Sequence, residues 1–233
     1  MTNTTLFDSE EYKQARFHYL LQVIFGESLA INYCKTIAEF APNEDSKTFL
    51  LKQQEEEETH LYLLSEYAAK IDRPKSEISK HMRGLHNVID KALIEKDYAS
   101  SIFIQNFVVE GLVITMTKEL YEHGDEDLKR ISAVILHDEV RHVEFGVKEI
   151  KRELETNKCN LNKLINIQRK ALFQAVLLFA DLAIDVKHLG IKWDKMAEDT
   201  VKEHLKRIED AGMHIPLFDK LFLKTAILFF KII

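Results

Sequence analysis

Two Glu-x-x-His pairs carry the chemistry this chain can do: Glu57-Glu58-Thr59-His60 and Glu139-Val140-Arg141-His142. Residues three apart on a helix are neighbours, so each pair sets a carboxylate beside an imidazole. Around the second pair Leu128, Ile131, Ile135, Val143 and Ile150 recur at helical spacing. Glu139 and His142 therefore share the face due for burial. An ionised carboxylate is costly to bury without a partner, and a divalent cation suits carboxylate and imidazole at once.

Two lone glutamates complete the pattern. Glu27 falls three residues after Ile24 and four before Ile31, and Glu110 sits inside the apolar run Ile102–Ile114. Glu27 precedes Glu57 by 30 residues, and Glu110 precedes Glu139 by 29. Each half reads as a helix with one inward Glu, a turn, and a helix with Glu-x-x-His. Two such halves joined by a long crossover make a four-helix bundle with a dinuclear site. The expected ligands are Glu27, Glu57, His60, Glu110, Glu139 and His142. Four carboxylates neutralise two divalent cations, and this oxygen-rich set with one imidazole per metal suits iron or manganese. Glu57 and Glu110, or their counterparts, can bridge; the spacing leaves open which do.

Supporting groups are legible too. A metal-bound imidazole usually donates its other N–H to a carboxylate. Asp138 is placed to reach His60, and Glu56 is the counterpart for His142. Gly26 precedes Glu27 and Gly111 follows Glu110. Glycine inside a helix costs about 1 kcal/mol relative to alanine, so the matched pair implies close approach or space beside the metals. Taken alone, Glu55 to Glu58 would read as a solvated face, and either histidine as a core residue. The joint occurrence on inward faces argues for the metal site.

The elements that must position these groups follow from periodicity, caps and breakers. Helices are expected over about Ser9–Phe40, Asp45–Ile71, Tyr98–His123, Asp125–Thr156 and Leu161–Leu189. A surface crossover spans about Ser76–Glu95, and a more polar helix about Asp194–Asp210. The fold class is all-α, one domain over 1–233: a metal-binding bundle over about 9–156 and further C-terminal helices over about 159–233. The apolar end, Leu221 to Ile233, is too short to span a bilayer and is expected to dock on the bundle. Apolar faces of the first, third and fifth long helices would wall a substrate pocket, with Phe103, Phe107, Phe173, Leu177 and Phe179 as candidates. Asp181 and Asp185, in an apolar helix, are expected to find Lys or Arg partners. Cys34, seven after Glu27, lies on the same stripe.

Composition bounds the rest. Hydrophobic residues make up 46% and charged residues 30% of 233, and 7 Gly with 3 Pro leave room for long helices. The net charge of −6 excludes nucleic acid as an expected partner. Two distant cysteines, Cys34 and Cys159, suggest a reducing cytoplasm. The N-terminal residues show no basic stretch followed by an apolar run, so no secretory signal is expected, and no transmembrane segment either.

The order Glu, Glu-x-x-His, Glu, Asp-Glu-x-x-His resembles the ferritin-like di-iron carboxylate superfamily across about Ser9–Thr156. Length, ligand spacing and the extra helices are most similar to the bacterial aldehyde-deformylating oxygenases. That resemblance implies two Fe ions, or a Mn/Fe pair, with O2 as co-substrate. It implies an apolar small-molecule substrate such as a fatty aldehyde, and an external electron donor such as a ferredoxin. The layout of Gln168–Asp181 and Glu198–Gly212 is also similar there. Other branches fit less well. The paired Cys-x-x-Cys of rubrerythrins is absent; Leu64 stands where ribonucleotide reductase small subunits place a radical tyrosine. Ala30 replaces the cross-linked valine of the ligand-binding oxidases, and storage ferritins lack the apolar C-terminal region. The added histidine of arylamine N-oxygenases has no good counterpart in His137 or His188. Alternatives to deformylation are a di-metal hydroxylase or N-oxygenase on another substrate, and a non-catalytic metal-binding helical protein.

Overall fold

The computed structural model describes residues 9–214 and, beyond them, residues 216, 217, 219, 221, 223 and 225. Helix α1 (Glu10–Glu39) begins where the Ser9 hydroxyl accepts the Tyr12 N–H at 3.1 Å. Asn43 opens α2 (Glu44–Lys70) in the same way, accepting from Ser46 N–H at 2.8 Å. Each cap satisfies a donor that the first helical turn leaves free. The crossover is ordered as α3 over only Lys80–Ile94, with Ser79 as its cap. Asp125 caps α6 (Glu126–Glu155).

The stretch Tyr98–His123 departs from expectation. It divides into α4 (Tyr98–Ile102), a π-helical segment (Phe103–Val109) and α5 (Glu110–His123). The Glu110 N–H donates to the Gln105 carbonyl, five residues back. Wide turns of this kind are uncommon and recur at functional sites. This stretch is long and apolar enough to cross a membrane, yet 78% of its most apolar window is buried inside the protein. It is the central core helix.

The second departure is at Leu182. There the chain breaks α7 (Leu161–Asp181) from α8 (Ala183–His188) before α9 (Trp193–Asp210). Asp181 accepts from the Ser79 hydroxyl at 2.7 Å, and Asp185 lies 2.8 Å from His18 Nδ1. The expected Lys or Arg partners are thus replaced by a hydroxyl and an imidazole.

A continuous apolar core joins the bundle (Tyr19, Leu20, Leu64, Ile104) to the C-terminal helices (Leu178, Val186, Ile208). Full burial of each large apolar side chain contributes about 1.5–3 kcal/mol, enough to fix the helices that carry the polar site. Of the apolar end, Leu223 is buried and Leu221 exposed. Asp219, just before it, accepts a two-pronged pair from Arg169 at 2.7 and 3.0 Å. The remainder of that expected docked helix lies outside the described residues.

Candidate metal centre

Six side chains from four helical segments meet in the middle of the bundle. Glu27 comes from α1, Glu57 and His60 from α2, Glu110 from the junction of the π segment with α5, and Glu139 and His142 from α6. All six are at most 2% exposed. Their donor atoms form two overlapping groups, each within 4.8 Å: Glu27, Glu57, His60 and Glu139; and Glu57, Glu110, Glu139 and His142.

Glu57 and Glu139 belong to both groups. Glu57 Oε2 lies 3.3 Å from His60 Nδ1 while its Oε1 lies 3.3 Å from His142 Nδ1. Glu139 spans the same two imidazoles, at 3.4 and 3.3 Å. Glu27 approaches His60 alone, at 3.5 Å. The two Glu-x-x-His glutamates thus stand between both imidazoles, while Glu27 and Glu110 each belong to one group only.

The donors converge on a point rather than on one another. Glu27 Oε1, Glu57 Oε2, His60 Nδ1 and Glu139 Oε1 are buried with no hydrogen-bond partner, although neighbours stand within 3.5 Å. Such orphaned groups are rare in protein interiors and are costly. A pair of cations with oxygen and nitrogen preference satisfies all of them, so the residues fit a di-metal centre.

Electrostatics say the same. Burial, then the charges of Glu139 and Glu27, push the Glu57 carboxyl well up. Glu110 is raised by burial and by Glu139 and Glu57. Burial works against a charged His142, but hydrogen bonding to Glu139 outweighs it and takes the imidazole to about 9. Without cations, this cage compensates its own negative charge with protons.

The far sides of the imidazoles are held as expected. His60 Nε2 lies 3.2 Å from Asp138 Oδ2, and His142 Nε2 lies 2.9 Å from Glu56 Oε2. With Nε2–H directed outwards, each Nδ1 keeps its lone pair for the cage. Arg141, between the pairs, donates to Glu56 at 3.0 Å and also to Asp138. It holds both outer carboxylates at once.

Several residues escaped the sequence reading. Gln53 donates to Glu57 at 3.1 Å and to Glu110 at 2.8 Å. Gln105 donates to Glu110 at 2.6 Å, and Asn106 donates to Gln53 at 2.6 Å. In a regular α-helix residues 105 and 110 would point roughly 140° apart, five steps of about 100° each. The π turn is what lets Gln105 reach Glu110. Gln53, four before Glu57 on the inward stripe, carried a readable signal; Gln105 carried none.

A family model for long-chain fatty aldehyde decarbonylases matches residues 9–223. The chain belongs to that family. Among solved structures, it is similar to "Protein 19 with aldehyde deformylating oxidase activity from Synechococcus", at 19% identity and a TM-score of 0.79. That match covers 89% of this chain and 94% of the other, a likeness of fold.

Within this decarbonylase-family bundle the side chains expected to wall a pocket differ in burial. Phe103 and Phe107 are fully buried on the π segment, their rings stacked at 4.9 Å. Phe179 is buried against Trp193 and Leu177 is half-buried. Phe173 is 52% exposed, because α7 turns that side of its apolar surface outwards. Cys34 is buried close enough for all four cage glutamates to add to burial in raising its thiol. The paired glycines do different jobs. A β-carbon on Gly26 would meet nothing within 4 Å, whereas one on Gly111 would strike the Arg207 guanidinium at 2.4 Å.

Proposed function

We propose that this chain is an O2-dependent, non-heme di-iron oxygenase that deformylates a long-chain fatty aldehyde to a hydrocarbon and formate. The observation that carries this reading is the sharing of Glu57 and Glu139 by two four-donor groups, in a member of the fatty aldehyde decarbonylase family. The activity named for the similar Synechococcus protein supports the same reaction.

Glu57 and Glu139 would bridge two ions, Glu27 and His60 completing one side and Glu110 and His142 the other. When bound, an Fe/Fe or Mn/Fe pair supplies the capture and reduction of O2. The chain's own residues set the conditions. Asp138 and Glu56 keep each imidazole's proton on Nε2, and Gln53 and Gln105 orient the Glu110 carboxylate. Burial of the cage excludes water, and the apolar side chains Phe103 and Phe107 suit an apolar substrate.

Splitting R–CHO with water's elements into R–H and formate is redox-neutral. The electrons that reduce O2 must therefore come from outside, and a ferredoxin-type donor meets that need. Free thiols at Cys34 and Cys159 support a reducing, cytoplasmic setting.

The test is anaerobic loading with Fe(II), followed by O2, a reducing system and a panel of fatty aldehydes. Alkane and formate in equal amounts support the proposal. Full metal loading with neither product from any chain length would reject deformylation.

A further inference from the structure

Outside the cage, α5, α6 and α9 enclose a groove of about 710 Å³. Its floor is apolar, with Ile114, Val143, Val147 and Met196, and lysines including Lys118, Lys148 and Lys206 reach its rim. This is the size of many small-molecule sites.

Arg207 is the unusual member. It is partly buried, its Nε is fully enclosed, and no hydrogen bond or ion pair holds its guanidinium among the described residues. Acidic residues line the same groove (Glu119, Glu144, Asp199, Glu203, Asp210), yet none lies within 4 Å of that guanidinium. Gly111 makes room for it: a β-carbon there would sit 2.4 Å from both terminal nitrogens. An enclosed Nε–H with no partner costs free energy, Glu203 acts on the guanidinium only at longer range, and the planar fork of an arginine matches a carboxylate through two parallel hydrogen bonds.

We propose that this groove binds a long-chain carboxylate, the head group on Arg207 and the alkyl chain along Ile114, Val143, Val147 and Met196. Charge selects the head, and the apolar floor selects an amphiphile over a small anion. A fatty carboxylate is the oxidised counterpart of the aldehyde proposed above. Binding here needs neither the metals nor that reaction, so the two ideas fail separately.

The test is titration of the purified, metal-loaded protein with laurate, dodecanol, dodecyl phosphate and formate, with a photoreactive fatty acid to map the contact. Laurate should bind at least tenfold more tightly than formate. Arg207→Gln should weaken laurate tenfold or more while leaving dodecanol unchanged, and Arg207→Lys should lose part of the affinity. Crosslinks should fall on peptides from α5, α6 and α9. If Arg207→Gln does not fold, Arg207→Lys and the crosslink map decide. Unchanged laurate affinity in the variants, crosslinks confined to the bundle interior, or tighter binding of dodecyl phosphate than of laurate would overturn the assignment.

Discussion

Asp138 Oδ2 stands 3.2 Å from Nε2 of His60, across the bundle from a residue 78 positions away in the chain. Burial alone would raise the Asp138 carboxyl; hydrogen bonds from Arg141 and His60 hold it below its usual range, so it stays an acceptor. Its place behind His60, rather than in the cage, makes it a positioning residue. Asp138→Asn is expected to weaken metal binding about 10–100-fold with the fold intact, and Glu56→Gln to do the same through His142. Calorimetric metal titration checks this; wild-type affinity in both variants would count against the assignment.

Glu110 leans on two amides, from Gln53 and from Gln105. Hydrogen bonds to a charged group contribute roughly 1.5–3 kcal/mol each. Gln105→Leu should cost the metal-loaded protein about that much, read by urea denaturation. It should also weaken one ion more than the other, because Glu110 belongs to only one donor group. Equal weakening of both ions would contradict this division.

Gly146 lies one turn after His142 and allows α6 to touch the π segment. A β-carbon there would come within 2.7 Å of Asn106 Cβ and 2.9 Å of its backbone carbon. Backbone cannot swing aside as a flexible side chain can. Gly146→Ala should gain about 1 kcal/mol of helix propensity but lose more, since overpacking costs roughly 1–3 kcal/mol. A net loss of stability with weaker metal binding is the expected outcome. A stabilised variant with normal metal uptake would show that the contact relaxes freely.

How far the sequence went is clear at particular residues. Glu27, Glu57, His60, Glu110, Glu139 and His142 were legible because inward-facing charges at matched spacing conflict with the apolar stripe around them. The π segment was not, since widening a turn depends on what packs against it, here Gly146 and Gln53. Phe173 was misplaced because α7 is apolar on several sides, and periodicity alone does not say which side faces out. Leu182 looks like any other helical leucine; at the break there Asp181 meets Ser79 and Asp185 meets His18.

That last pair predicts a pH effect. Hydrogen bonding to Asp185 raises the His18 pKa against the opposing effect of burial. A folded-state pKa above the unfolded value of about 6.5 means the added stability is fully present below that pH. It is lost as pH climbs through the raised value. The melting-temperature gap between wild type and His18→Gln should therefore be widest in mild acid and shrink on the alkaline side. A gap that is constant with pH, or grows with it, would show the pair is not ionic.

Glu57 and Glu139 are shared by the two donor groups, while Glu27 and Glu110 are not. Anaerobic Fe(II) titration of single alanine variants measures this directly. Two ions per wild-type chain are expected, one for each donor group. Glu27→Ala and Glu110→Ala should each retain one, and Glu57→Ala and Glu139→Ala neither. A single ion in the wild type, or the same loss from all four variants, would contradict the account.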